Sequence, residues 1–304
     1  METLQGELKV KHPFNKEALK VLLYWITERE RIRVRKEQGL PRPWTKDPIL
    51  DKYRFCSVDR NDDAVTRWVF ANWLYPHIGD TNLWFAMVVA RLLNLPFSLE
   101  YAQGAVFNRK GKVDWRADMF VSTLHYIRDN GNKIFNAAYI VSTNGHAMDK
   151  VEYLATRVLT PLWESRKLAP AAMRSLNEFH TWLQQFDGLG SFMAAQVVAD
   201  IKYDPKSPLI MAPDFATFAA SGPGSRRGMH RLFGRDYTLP YKEQTWRADM
   251  GLLRPVVLEH FRNDVALQQK LTAQNIQNAL CEFDKMMRAL NGEGEPKQLY
   301  RSKS

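Results

Sequence analysis

Asp214 ends the apolar approach in PLIMAPDFATF and lies 26 residues after Gly188 of FDGLGSFMAAQVVADI. A carboxylate after an apolar run and before aromatic residues suits taking a proton or stabilising positive charge in a partly desolvated site. A helix-capping Asp has the same local sequence. Directly after it, SGPGSRRGMHRLFGR (221–235) holds Arg226, Arg227, Arg231, Arg235 and His230 and no acid. Guanidinium groups stay charged and bind phosphate oxygens in pairs. Read as a flexible, glycine-rich basic loop, this stretch is a candidate contact for a departing phosphate or pyrophosphate, or for a DNA backbone.

Three further groups carry polar chemistry. In KYRFCSVDRNDDAVTRWV (52–69), Arg54 and Arg60 flank Asp59 among Phe55, Cys56 and Val58, a pattern of partly buried, paired charges that serves sites and plain structure alike. Asp62 or Asp63 fits an N-cap, and Asp59, Asp62 and Asp63 together could ligate Mg²⁺, with capping as the competing use. In IQNALCEFDKMMR (276–288), Glu282 and Lys285 or Arg288 stand at helical spacing, as on an ordinary amphipathic helix. Gln196 and Asp200, four residues apart, share one helix face and could line a pocket or merely hold the helix in place.

The pair Gly188-Leu189-Gly190 separates two helical patterns. A dinucleotide fingerprint needs a preceding strand and a third glycine, whereas here a helix precedes and Met193 stands at the third position. Helix, Gly-x-Gly, helix instead suits a helix-hairpin-helix, in which Gly188 and Gly190 make the turn and backbone N–H groups at Ser191 meet a DNA phosphate. A simple helix connector has the same local pattern.

The hairpin followed by Asp214 resembles the helix-hairpin-helix DNA glycosylase superfamily, where a catalytic Asp follows the hairpin at a similar distance. Glycosylases with lyase activity carry a nucleophilic Lys just after the second hairpin glycine; this chain has Phe192, so no Schiff-base chemistry is expected there. Taken in order, the N-terminal Arg/Glu helix, PRPWTKDPIL, YRFCSVDRNDD, FDGLGSFMAAQVVADIKY, MAPDFATF with GPGSRRG, and LCEFDK resemble the bacteriophage α-glutamyl/putrescinyl thymine pyrophosphorylases, or amino acid:DNA transferases, over about 14–300. The resemblance implies an enzyme of thymidine hypermodification that replaces the pyrophosphate of 5-pyrophosphoryloxymethyluracil in double-stranded phage DNA with an amine, from a free amino acid or a polyamine such as putrescine. It implies Asp214, Arg54, Asp59 and Arg60 as catalytic residues. Arg226, Arg227, His230, Gln196, Asp200 and Lys285 would bind substrate or pyrophosphate, and Gly188, Gly190, Ser191 and Arg231 would bind DNA. Departure of pyrophosphate leaves a ring-stabilised electrophile for the amine, so the site needs room for an extruded base, cationic donors and a carboxylate. No cofactor is assured by the resemblance, and Mg²⁺ stays open. The competing functions are a monofunctional glycosylase that uses Asp214 and water, and a non-catalytic helical DNA-binding protein.

The elements that must position these residues read as helices. Apolar periodicity predicts them at 15–35 (Asn15 as N-cap), 63–73, 81–93, 115–129, 149–167, 170–186, 191–203, 246–263 and 272–290, with caps at Asp80-Thr81 and Thr272 and Pro170 in a first turn. The Arg/Glu row at the end of the first helix alternates in sign, as on a solvated, self-paired face. Residues 39–50, with three prolines, predict an irregular connection, and 204–234 a long stretch without clear helix. Only KIFNAAYIVSTN has strand-like character. The expected fold is predominantly α, a helix-hairpin-helix DNA glycosylase-like body with an N-terminal helical extension. It would be a single compact unit with sublobes 14–170 and 171–300, the hairpin at 176–203 and the Asp/Arg loop at 208–235.

Bulk composition agrees. The 304 residues carry 43 Lys and Arg against 33 Asp and Glu, a net charge of +10 that favours a polyanionic partner. Nine Trp and sixteen Phe offer platforms for flat ligands beyond core filling. Two distant cysteines, Cys56 and Cys281, exclude a disulfide framework and a zinc site. The absence of an apolar leader or span predicts a soluble protein, placed by the resemblance in the cytoplasm of an infected bacterial cell.

Overall fold

A computed structural model of the chain describes residues 12–136, 141–296 and 298–300. The fold is predominantly α-helical. Its described residues include no strand, only two isolated bridges, Tyr53 with Leu299 and Phe107 with Val113. The strand-like run KIFNAAYIVSTN shows no strand at 133–136 or 141–144; its centre, 137–140, lies outside the described residues. The chain forms two compact units, one from Met1–Asp63 with Ala219–Ser304 and one from Ala64–Phe218. The expected sublobe boundary at 170 therefore falls inside the second unit. Among the described residues no helix is long and apolar enough to cross a membrane.

In the first unit the Lys16–Glu37 helix starts at Asn15, whose side chain accepts the Ala18 N–H at 3.0 Å. Its apolar face, Leu19, Leu22, Leu23 and Ile26 with Trp25, is buried in one core with Trp246, Leu253, Ile276 and Phe283. The charged row is only partly self-paired. Arg33 binds Glu30 at 2.7 Å and Asp62 at 3.2 Å, and Lys270 binds Glu30 at 2.9 Å and Asp62 at 3.1 Å, so the row ties three segments together.

The largest departure from expectation is at 221–235. Instead of a flexible loop, Pro223–Leu232 is a helix. Pro223 suits a first turn, and Ser225 closes the start by accepting the Gly222 N–H at 2.9 Å. Its glycines allow close packing. A Cβ at Gly224 would lie 3.3 Å from Cys281, and one at Gly228 would lie 2.4 Å from the Leu280 carbonyl oxygen of the Ala273–Leu290 helix. Met229 and Leu232 complete the contact in the core. The gain from packing two helices this closely outweighs the low helix propensity of glycine. Pro96–Val106 is also helical where no helix was predicted, opening on Pro96.

In the Ala64–Phe218 unit the Leu83–Leu93 helix is buried along its whole length. It packs on Ser191–Ile201, and Arg91 and Asp200 join the two. The 149–167 pattern is one helical path with a π-helical turn at Leu154–Leu159. The 170–186 pattern breaks: Ala169–Ala172 stops, and Ser175 caps a new helix, Leu176–Leu183, by accepting the Glu178 N–H at 3.0 Å.

Replacing Gly228 with Ala is expected to lower unfolding free energy by about 1–3 kcal/mol through overpacking. Gly251→Ala, in the interior of the Glu243–His260 helix with open space at its Cβ, should raise it by about 0.8–1 kcal/mol. Urea titration of the two variants checks the contrast.

Candidate functional site

The Ala273–Leu290 helix gathers most of the first unit's candidate residues. Asn275 holds the 59–61 turn: its side-chain amide donates to Asp59 at 3.1 Å, and its oxygen accepts the Arg60 N–H at 3.3 Å. Asp59 itself accepts the Asn61 N–H at 3.0 Å, and Asp63 accepts the Ser57 N–H at 3.1 Å. Burial pushes both carboxyls up from their ordinary value. Nearly three turns further on, Lys285 donates to the Arg54 carbonyl at 2.7 Å and pairs with Glu282 at 3.0 Å, which also accepts the Cys56 N–H at 3.0 Å. Arg54 is exposed. Lys285 is thus a structural tie between 54–56 and the helix, its ammonium 4.4 Å from the Phe55 ring centroid.

The arginines of the Pro223–Leu232 helix meet the other side of the same spine. Arg227 and Arg231, one turn apart, both reach the fully buried Asp284, at 2.8 and 3.0 Å, and Arg288 approaches it at 3.5 Å. Arg231 also binds Glu293, and this bond, with one from Asn291, holds the Glu293 carboxyl down to about 2. Arg226 donates to Ser221 at 2.7 Å and to Glu243 at 3.3 Å. Arg226 and Arg227 keep 41% and 35% of their side chains exposed, whereas Arg231 keeps 7%. His230 is buried against Tyr241 and within 3.2 Å of the Leu239 carbonyl, and burial lowers its basicity. Of this cluster, Arg226 and Arg227 present cationic surface and His230 does not.

Asp214, Gln196, Asp200, Gly188, Gly190 and Ser191 belong to the Ala64–Phe218 unit. Asp214 accepts the Leu176 and Asn177 N–H groups, one on each oxygen, at 2.8 and 2.9 Å, and so caps the Leu176–Leu183 helix at the end where the helix dipole favours negative charge. Asp200 is fully buried and bidentate to Arg91, which also donates to Thr66 at 3.0 Å and Asn94 at 3.1 Å. Gln196, on the same helix face, is half-buried. The glycine pair divides its duties. Gly188 has φ 72°, and a Cβ there would lie 2.9 Å from Val158, so both backbone and packing demand glycine. Gly190 is the N-cap of Ser191–Ile201, has φ −62° and faces open space. It brings no side-chain acceptor to the helix's first turn, which Ser191 opens and where Phe192 is half exposed.

Among the described residues no three His, Cys, Asp or Glu side chains converge as a metal site. The Asp59, Asp62 and Asp63 carboxylates are engaged as described, with Asn275, Lys270 and Ser57. The partners that the sequence did not single out are Asp284, Glu243, Glu293 and Arg91. Asp284 had one usable signal: arginines four apart at 227 and 231 call for an acid on whatever helix they face.

The described residues are predominantly helical, with a cationic helix locked onto an acidic spine, and define in class a helical domain. The chain belongs to the family described as 5-hmdU DNA kinase, helical domain, whose model matches residues 16–295. A 5-hmdU DNA kinase of Bacillus phage SP10 is 25% identical over 225 residues, 68% of this chain and 35% of that protein. The chain therefore spans about a third of that curated relative's length. No solved structure matches.

Glu293 is held below its ordinary 4.5, to about 2, so the stability it contributes is full above pH 4.5 and lost as pH falls toward 2. Glu293→Gln is expected to flatten the acid limb of a pH series of thermal melts in that window. Asp284→Ala, which strands Arg227, Arg231 and Arg288 together, should cost about 3–5 kcal/mol at neutral pH in the same melts.

Proposed function

We propose that this chain acts on phage DNA bearing 5-hydroxymethyluracil, at the stage where the hydroxymethyl group has been pyrophosphorylated, and replaces pyrophosphate with an amine. The observation that supports the hydroxymethyluracil-DNA part of this reading is the extent of the family match; the amine-transfer step rests on the resemblance read from the sequence. Residues 16–295 take in both the hairpin of one unit and the arginine helix of the other, under a name that specifies hydroxymethyl-deoxyuridine DNA.

In this reading Arg226 and Arg227, anchored by Glu243 and Asp284 yet partly exposed, draw the departing pyrophosphate, with Arg54 and Arg60 as further cations. The hairpin at Gly188, Gly190 and Ser191 grips the DNA backbone, as in the glycosylase-like arrangement read from the sequence. The co-substrate is a free amino acid or a polyamine, and the setting is the infected bacterial cell. Mg²⁺, if used, escorts the pyrophosphate rather than sitting in an all-protein cage. A second reading, the DNA-holding body of a kinase, is favoured by the Bacillus phage SP10 relative, of which the match covers 35%.

Mass spectrometry of nucleosides separates these. Pyrophosphorylated 5-hydroxymethyluracil DNA, incubated with the protein and glycine, serine, glutamate or putrescine, is expected to yield one thymidine derivative carrying the amine, with pyrophosphate released. Abasic sites would mean a glycosylase, ATP-dependent phosphorylation of unmodified 5-hydroxymethyluracil DNA a kinase, and binding without product a DNA-holding domain. The double variant Arg226→Ala, Arg227→Ala should lower the salt slope of DNA binding by about 1 per lost phosphate contact.

A further inference from the structure

The hairpin turn of the Ala64–Phe218 unit carries a second group of titratable side chains, outside every residue set considered above. Asp187, next to Gly188, accepts that residue's N–H at 2.9 Å and the Asn144 side-chain amide at 2.5 Å. The segment bringing Asn144 turns through two residues of positive φ, Asn144 at 49° and Gly145 at 82°. The next residue, His146, then faces the same carboxylate, with Nε2 3.4 Å from Asp187 Oδ2. The imidazole lies over Tyr153, ring centroids 5.5 Å apart and planes 32° apart.

Tyr153 is fully buried, and its hydroxyl lies beside Asp187 without completing a hydrogen bond. Burial, and next that carboxylate, push the phenol up to about 12, so it keeps its proton at neutral pH. Burial works to raise Asp187, but Asn144, Tyr153, the Gly188 N–H and His146 together hold its carboxyl below the ordinary value. Asp187 and Tyr153 are the titratable groups facing His146. The His146 side chain is 42% exposed, and its Nδ1 has no partner among the described residues.

Closing the hairpin turn requires Asn144 and the Gly188 N–H on Asp187; it does not require an imidazole. A carboxylate against one ring nitrogen, with the other nitrogen open, is the geometry of an oriented base. Asp214 is poorly suited to that role, because each of its oxygens already accepts a helix N–H. Asp214 and Asp187 also belong to opposite ends of the Leu176–Leu183 helix, whose eight residues span about 12 Å.

We propose that His146, positioned by Asp187, is the base that takes the proton from the incoming amine; this rests on the amine-transfer function proposed above. The neutral amine nitrogen attacks the methylene carbon. The C–O bond has by then broken, pyrophosphate leaving with that bond's electron pair, and the C–N bond forms at the ring-stabilised electrophile. The resulting secondary ammonium gives its proton to His146 Nδ1, and the Asp187 carboxylate stabilises the imidazolium. Asp187 is a positioning residue: it acts through His146.

The test uses the whole chain, pyrophosphorylated 5-hydroxymethyluracil DNA and the four amines named above, each followed over a pH series. With His146→Gln, kcat is expected to fall by about 10²–10⁴ while KM for DNA changes little, and the acid limb of the kcat profile should disappear. Asp187→Asn should lower kcat less and shift that limb. Product from wild type together with an undiminished His146→Gln overturns the proposal and leaves the amine-transfer function standing. No product from wild type with any amine fails that function first, and the assigned role of His146 with it. A readout independent of activity is ¹⁵N NMR of the histidine side chains. The proposal requires the Nε2–H tautomer of His146 in wild type and its loss of preference in Asp187→Asn; an Nδ1–H tautomer in wild type overturns the proposal whatever the activity.

Discussion

The first unit depends on the approach of the Pro223–Leu232 helix to the Ala273–Leu290 helix, so close that a single Cβ at Gly228 would strike the Leu280 carbonyl. That closeness lets short-range electrostatics operate: Arg227 and Arg231 reach Asp284, a carboxylate with no solvent exposure. A buried charge of this kind is tolerable only when paired and hydrogen-bonded: Arg227 and Arg231 donate to it, and Arg288 adds a third cation at 3.5 Å. The outer face of the same spine helix then fixes the 54–63 segment through Asn275, Glu282 and Lys285. Helix contact, buried carboxylate and peripheral segment therefore form one chain of dependence.

The Ala64–Phe218 unit solves a similar problem with one bidentate pair. Arg91 and Asp200, both buried, lock the apolar Leu83–Leu93 helix to the second hairpin helix, with Thr66 and Asn94 taking one further guanidinium donor each. The hairpin's other end is set by Gly188 against Val158 and by Asp187 with Asn144. Rigid attachment at both ends is what a turn needs if it is to present backbone amides to a phosphate without losing ordering entropy on contact.

Charge has two uses in this chain. A net +10 draws polyanions at long range, but all four arginines at 226–235 spend part of their charge on internal acids. Arginine so anchored is pre-ordered, and at Arg226 and Arg227 the side chain also stays partly exposed.

Hydrophobic periodicity determined the helices at 15–35, 81–93, 191–203 and 272–290, because each buries one stripe or a whole cylinder in a core. It also marked Asn15 and Thr272 as caps, whose side chains accept the N–H three residues on. Composition determined the absence of a disulfide framework, and residue order exposed the glycine pair as a turn. Only tertiary structure decided that 223–232 is helical, since glycine and proline signal loop locally and the compensating contact comes from Leu280, more than fifty residues away. Likewise, nothing local distinguishes a catalytic Asp214 from one that caps a helix 37 residues earlier, or links His146 to Asp187. Long-range pairing sets the charge state and orientation of such groups, and a local pattern contains no record of which distant partner the fold will bring.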